Sequence, residues 1–320
     1  MNYKLKKISG DASFREFYRI KKNNKSSIIV FARKERHKNL TVYGLVNLIL
    51  NKNGISAPKL IKSFLKNNMI EITDLGDTSF FEFIKNKKNK VKYYKHLVDL
   101  IIKLQKVRLK KNYSFLKKKI TFNKYNSNLL HRESDLFFDW YLKYSLKIKN
   151  VKKIKKILKH ELNLIYKKLY FKNKYFTHRD FHGSNIMIFN KKFNLIDSQD
   201  AILGNPLYDL ASLIDDVRIK LSKKTQDALF EYYYKNSSLK LFNRIDLRND
   251  FDILSIQRCL KILGIFVRLH KRDRKSKYLK YLPHTWNLIE RRMKNPIFVN
   301  LEKKMREHLP LKKLKKINKL

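Results

Sequence analysis

The first 73 residues contain short apolar runs separated by polar turns. Residues 14–20 and 27–31 have the composition of strands, and the polar Lys-Asn segment between them predicts a β-hairpin. Residues 41–51 carry apolar side chains three and four positions apart, which predicts a helix. A further strand is predicted at 69–73, where a polar Asp-Leu-Gly-Asp segment follows. We therefore predict a small β-rich N-lobe over residues 1–73.

The pattern changes after this point, and residues 74–320 read as a larger, mostly helical C-lobe. Three segments have apolar residues at helical spacing: 91–105, 135–146 and 154–170. The lysine-rich segment 106–125 has a weak pattern, so we expect an exposed connection there. Strand-like runs return only at 186–189 and 193–196, around a polar turn. The pattern as a whole predicts the α+β class.

Polar residues with a defined spacing surround this second hairpin. Asp180 is followed five residues later by Asn185, and Asp197 comes directly after the second strand. A phosphotransferase needs a carboxylate that accepts the proton of an attacking hydroxyl, and an amide and a second carboxylate that hold Mg²⁺ against nucleotide phosphates. An Asp that only caps a turn is the alternative for Asp180, but the spacing to Asn185 favours catalysis. Asp200 either faces the substrate or caps its loop.

The nucleotide-binding side has weaker signals. Gly10, Ala12 and Ser13 belong to a small-residue turn before the first hairpin, and its backbone N–H groups could cover phosphates. A basic side chain near the following strand should pair with the α- and β-phosphates, and Arg33 and Lys34 are the nearest candidates. Neither has the sequence context of a kinase lysine, and lysine is abundant throughout this chain.

Composition limits the class of protein. The 320 residues are 43% hydrophobic with one cysteine, so the chain can bury a core without disulfides or a cysteine metal site. No apolar run reaches the length of a membrane span and the N-terminus has no apolar signal region, so we expect a cytoplasmic protein. The net charge of +48 could attract nucleic acid. Because lysines are spread along the chain without a nucleic-acid motif, the bias of an AT-rich genome explains it better, and no specific nucleic-acid partner is expected.

The residues around Asp180 and Asp197, together with the segment 204–213, resemble the aminoglycoside phosphotransferase and choline kinase superfamily. Further segments are similar to the bacterial anomeric N-acetylmuramate/N-acetylglucosamine kinases: 10–15, 74–77, 132–133, 137–141 and 260–269. The matches run in the same order over residues 9–283. The superfamily resemblance implies a protein-kinase-like, two-lobed fold that binds ATP and Mg²⁺.

The narrower resemblance implies phosphorylation of the anomeric hydroxyl of an amino sugar to the α-1-phosphate, which a uridylyltransferase would return to peptidoglycan synthesis. It also implies that Asp180 is the base, that Asn185 and Asp197 bind the metal, and that Glu133 contacts the substrate. Two departures are apparent: Ser198 stands where a Phe is usual, and the strand ending near Arg33 lacks a nearby acid. The alternatives are a kinase of the same fold acting on choline, homoserine, another sugar or an aminoglycoside, and a non-catalytic protein associated with nucleic acid.

Overall fold

A computed structural model describes residues 4–8, 15–22, 25–32, 38–310 and 314. The chain forms two compact units, each built from two separate segments. The first unit contains Met1–Asn123 and Tyr175–Leu203, and the second contains Lys124–Lys174 and Gly204–Leu320. The predicted lobe boundary at residue 73 coincides with the end of a strand, while the first unit continues beyond it, so this boundary stays a prediction.

The first unit begins with an antiparallel five-stranded sheet in the order β1-β2-β3-β5-β4. Its strands are β1 (Lys4–Ile8), β2 (Glu16–Lys22), β3 (Lys25–Phe31), β4 (Leu60–Phe64) and β5 (Met69–Thr73). Helix α1 (Lys38–Lys52) packs on it through Leu40 and Tyr43, against the buried Ile28, Val30 and Ile70. The predicted first hairpin, the helix and the strand at 69–73 are therefore confirmed.

The rest of the first unit holds two helices and three strand pairs. The elements are α2 (Phe80–Lys85), α3 (Lys90–Gln105), β6 (Asn112–Phe115), β7 (Lys118–Thr121), β8 (Tyr175–Thr177), β9 (Ile186–Phe189), β10 (Lys192–Leu195) and β11 (Ile202–Gly204), whose last residue belongs to the second unit. The pairs are β6 with β7, β8 with β11 and β9 with β10. The predicted hairpin at 186–196 is confirmed.

The segment 106–125, expected to be an exposed connection, contains a mostly exposed hairpin of β6 and β7 that the sequence pattern did not predict. The turn between them is made by Leu116 and Lys117, both in the left-handed region with φ of 48° and 57°. Such a turn usually carries Asn or Gly, so the sequence lacks the expected signal. The short β8–β11 pair was missed as well.

The second unit is helical in its described part. It contains α4 (Ser127–Leu136), a π-helix (Phe137–Ser145), α5 (Val151–Tyr166), α6 (Leu207–Ile214), α7 (Lys223–Asn236), α8 (Arg244–Asp273), α9 (Leu282–Arg292) and α10 (Val299–His308). The long helix α8 is buried over most of its middle, and α4, α6 and α9 pack against it. The α+β class is therefore confirmed. Among the described residues, no helix has the length and apolar character needed to cross a membrane.

Candidate active site

The segment between β8 and β9 holds Asp180 with half of its side-chain surface exposed. Nε2 of His182 lies 3.3 Å from one carboxylate oxygen, and Nδ2 of Asn185 lies 3.3 Å from the other. The same Nδ2 donates to the backbone carbonyl of Asp180 at 3.0 Å. Because the amide nitrogen of Asn185 faces Asp180, its Oδ1 is the atom that can bind a cation.

Two neighbouring residues attach this segment to the strand pair that follows. His178 is buried, and its Nε2–H donates to the carbonyl of Ile196 at 3.1 Å. Burial lowers the pKa of His178 to about 4, so the ring is neutral near pH 7 and acts as a hydrogen-bond donor. Arg179 has a φ of 71° and donates to the carbonyl of Asp200 at 3.3 Å. These contacts hold the Asp180 segment against the chain after β10.

Asp197 follows β10 in the left-handed conformation, with a φ of 63° and a third of its side chain exposed (34%). Burial raises the pKa of its carboxyl, the negative charge of Asp180 raises it further, and the guanidinium of Arg15 opposes both. The distance between Arg15 Nη1 and Asp197 Oδ1 is 3.6 Å. The structure thus places Asp180 close enough to Asp197 for its charge to affect the pKa of the Asp197 carboxyl.

The residue after Asp197 shows how the chain accommodates its departure from the usual phenylalanine. Ser198 is fully buried, and its hydroxyl donates to Oδ1 of Asn47 on α1 at 2.7 Å. A side-chain hydrogen bond therefore connects the Asp197 turn to the helix, where an apolar ring would have packed.

The chemistry of the two predicted metal ligands fits magnesium. Asn185 and Asp197 offer an amide oxygen and a carboxylate, which are the hard oxygen donors that Mg²⁺ prefers. Within the described ranges, no three His, Cys, Asp or Glu side chains come together as a metal-binding group. Mg²⁺ keeps several waters and binds substrate phosphates, so it needs few protein ligands.

The two predicted substrate contacts lie in different units. Asp200 belongs to the first unit and is mostly exposed (65%), with Arg179 Nη1 at 3.9 Å from its Oδ1. Glu133, on α4 of the second unit, is buried. Its carboxylate accepts hydrogen bonds from Lys261 Nζ at 3.0 Å, from Gln257 Nε2 at 3.2 Å and from the hydroxyl of Tyr125. Both assignments stay predictions, and the carboxylate of Glu133 is hydrogen-bonded to other side chains of the protein.

The five predicted nucleotide contacts, Gly10, Ala12, Ser13, Arg33 and Lys34, lie outside the described residues. Several residues around Asp197 have no role predicted from the sequence: Arg15, Tyr43, Asn47 and Gln199. Of these, only Arg15 had a signal in the sequence, because it directly follows the small-residue turn.

The fold and this arrangement identify the class of protein. The chain belongs to the phosphotransferase enzyme family, which it matches over residues 4–242. It is 25% identical over 286 residues to the N-acetylmuramate/N-acetylglucosamine kinase of Pseudomonas aeruginosa, a match that spans 88% of this chain and 81% of that protein. It is also 25% identical over 297 residues to the kinase of the same name from Neisseria meningitidis serogroup B, spanning 91% of this chain and 86% of that protein.

Solved structures share the fold at low sequence identity. A choline/ethanolamine kinase family protein from Mesorhizobium loti is similar with a TM-score of 0.62 and 13% identity, covering 95% of this chain and 92% of that one. Spectinomycin phosphotransferase, solved with ADP and spectinomycin, is similar with a TM-score of 0.58 and 14% identity, covering 95% and 93%. The expected kinase-like fold is confirmed.

Proposed function

We propose that this enzyme transfers the γ-phosphoryl group of ATP to the anomeric hydroxyl of N-acetylmuramate, N-acetylglucosamine or both, in peptidoglycan recycling. The observation that carries the proposal is the half-exposed carboxylate of Asp180, oriented on one side by His182 and on the other by Asn185. The acceptor rests on the names of the relatives, whose matches span most of both chains.

Asp180 acts as the base in this proposal. The anomeric oxygen attacks the γ-phosphorus as its proton passes to the Asp180 carboxylate, and the bond from phosphorus to the bridging oxygen breaks to release ADP. Because the transition state is loose, the position of the carboxylate matters more than its basicity. The contacts of His182 and Asn185 with Asp180 supply that positioning. Magnesium held by Asn185 and Asp197 would neutralise charge on the phosphates.

Two features of the site support this division of roles. Asn185 reaches the Asp180 carboxylate with its nitrogen, which leaves its oxygen for the metal, so one side chain joins the base to the metal site. Asp197 sits in a left-handed conformation that costs free energy for a residue with a Cβ, and such strain is concentrated at functional sites. Glu133 and Asp200 are the proposed contacts to the sugar, and the product would pass to a uridylyltransferase.

The test is phosphoryl transfer from ATP and Mg²⁺ to a panel of acceptors: N-acetylmuramate, N-acetylglucosamine, choline, homoserine and kanamycin. The product is assayed for its reducing end, which disappears only when the anomeric oxygen carries the phosphate. A methyl glycoside of N-acetylglucosamine serves as the matched control, because its anomeric oxygen is blocked. We expect turnover of a free amino sugar with loss of the reducing end, and none of the methyl glycoside.

Other outcomes would change the proposal in defined ways. Phosphorylation of the methyl glycoside, or a product that keeps its reducing end, would place the phosphate on another hydroxyl. Turnover of choline, homoserine or kanamycin alone would keep the reaction class and replace the acceptor. ATP binding without turnover of any acceptor would refute an amino-sugar kinase.

A further inference from the structure

Two arginine side chains are buried within the described part of the first unit, Arg15 and Arg19. Arg19 binds two carboxylates: its Nε lies 2.6 Å from Asp74 Oδ2, and its Nη2 lies 2.9 Å from Asp77 Oδ1. Hydrogen bonds and attraction from these acids, from Asp77 most of all, raise the pKa of the Arg19 guanidinium. The hydrogen bond with Arg19 in turn lowers the pKa of the Asp77 carboxyl. Arg19 therefore stabilises the fold by connecting β2 to the segment after β5.

Arg15 contacts other side chains, which lie at the candidate site. Its Nη1 donates to Oε1 of Gln199 at 2.9 Å and lies 3.6 Å from the Asp197 carboxylate. Its guanidinium lies over the ring of Tyr43 on α1, 5.9 Å from the centroid. The side chain is only 4% exposed, so its direction is fixed by packing. Arg15 is thus a cation held in place beside a predicted metal ligand.

Within the described ranges of β3 and α1, the usual kinase arrangement for binding phosphates is not seen. In protein kinases a lysine on the third strand pairs with a glutamate on the adjacent helix and binds the α- and β-phosphates. Here the buried positions of β3 are the apolar Ile28 and Val30, and α1 contains no acidic residue. Helix α1 instead contacts the site through Tyr43 and Asn47. The described residues of β3 and α1 therefore offer no buried Lys–Glu pair for this role, and Arg33 and Lys34 lie outside them.

We infer that Arg15 is the cation that binds the nucleotide phosphates in this enzyme. The inference rests on the proposed function, because it takes a nucleotide as the phosphoryl donor. A guanidinium suits this role, since its planar set of donors matches the oxygens of a phosphate in a bidentate contact. Arg15 also directly follows the turn containing Gly10, Ala12 and Ser13, the segment expected to cover phosphates.

Binding measurements without any acceptor test this inference. The affinities for ATP, ADP, AMP and adenosine are measured by calorimetry on the wild type, Arg15→Met and Arg15→Lys. Lys21→Met is the matched control, because Lys21 is an exposed cation on β2, the strand that begins directly after Arg15. We expect Arg15→Met to weaken ATP binding about 10- to 100-fold, as for one lost hydrogen-bonded charge contact, with adenosine binding unchanged. Arg15→Lys should lose less of its affinity for ATP than Arg15→Met, and Lys21→Met should bind ATP as tightly as the wild type.

A second set of titrations separates direct contact from an effect through Asp197. The binding of ATP is measured with and without Mg²⁺. Direct contact predicts that the ATP-selective loss persists without the metal, whereas a loss seen only with Mg²⁺ would make Arg15 a positioning residue for Asp197 and overturn the inference. Equal losses for ATP and adenosine, or no loss, would also overturn it. Melting temperatures check that each variant is folded, and if Arg15→Met does not fold, Arg15→Lys decides on the same criteria.

The acceptor assay tests the proposed function and the titrations test the role of Arg15, so either proposal can be refuted without the other. A protein that binds ATP through Arg15 but phosphorylates no amino sugar would refute the proposed acceptor and leave the inference intact. A protein that makes the α-1-phosphate but shows no phosphate-selective loss in Arg15→Met would keep the proposed function and refute the role of Arg15.

Discussion

Gly264 on α8 is a position where a single added methyl group should be strongly damaging. A Cβ built there would lie 2.7 Å from the Cβ of Leu136, and closer still to the carbonyl carbon and oxygen of Leu136. Real Cβ atoms essentially never come within 3.0 Å of another heavy atom. The obstacle is backbone at the junction of α4 and the π-helix, so it cannot move aside as a flexible side chain would.

Two effects of Gly264→Ala oppose each other. Alanine in the middle of a helix is favoured over glycine by about 1 kcal/mol. Inserting a methylene or methyl group into a packed core typically costs about 1–3 kcal/mol, and occasionally more. Because both helix backbones would have to separate, we expect the cost to lie at or above the upper end of that range. The net loss of stability should then be about 2 kcal/mol.

Denaturant unfolding followed by circular dichroism measures this loss as a lower midpoint for Gly264→Ala. Gly44→Ala is the matched control, since it also places alanine inside a helix, but its nearest neighbour would be a ring atom of Phe115 at 3.2 Å and no backbone atom comes close. That ring can shift, so Gly44→Ala should fall between neutral and about 1 kcal/mol more stable. If Gly264→Ala proved as stable as the wild type, the close approach of α8 to Leu136 would be refuted.

Three further predictions concern the site and its surroundings. Asp180→Asn should lower turnover by about two to four orders of magnitude with an unchanged melting temperature, and a wild-type rate would remove Asp180 from the mechanism. Ser198→Ala should lower the free energy of unfolding, measured with denaturant, by about 1–3 kcal/mol, because Oδ1 of Asn47 loses its hydrogen-bond donor. An unchanged free energy of unfolding would show that this hydrogen bond does not stabilise the fold. Arg292→Met should destabilise by about 3–5 kcal/mol at pH 7, because it leaves Asp215 buried without its cation. Burial opposes ionisation of Asp215, but Arg292 outweighs it and holds the pKa below the usual 3.8, so this stabilisation is present above pH 3.8 and lost below. The gap between wild type and Arg292→Met should therefore narrow in melts below about pH 4, and a gap independent of pH would contradict the role of the pair.

Features with short sequence separation could be predicted from the chain. The hairpin at 186–196 has clear strand patterns around a polar turn, and the spacing of Asp180, Asn185 and Asp197 around it indicates the chemistry. The hairpin of β6 and β7 was missed because its turn uses Leu116 and Lys117 in a conformation that the residue types do not favour.

The contacts around Asp197 depend on residues far apart in the chain, which is why the sequence did not reveal them. Arg15 and Gln199 are separated by 184 positions, and Ser198 and Asn47 by 151. Periodicity describes which face of an element is apolar, but it does not say which polar groups from distant elements meet. The same limit applies to the partners of Glu133, because the sequence does not show that its carboxylate meets Lys261 and Tyr125.

The pairing of buried acids in the second unit bears on the class of acceptor. Three of its buried carboxylates lie within 3.0 Å of a cation: Glu133 of Lys261, Asp215 of Arg292 and Asp252 of Arg248. A polycationic aminoglycoside would gain most from carboxylates whose charge is not already balanced, because opposite charges attract strongly where water is excluded. These three have their cations within the protein, and the chain as a whole carries a net charge of +48. A positive potential favours a neutral or anionic acceptor over an antibiotic with several amines, and the proposed acceptor N-acetylmuramate, with its lactyl carboxylate, meets that requirement.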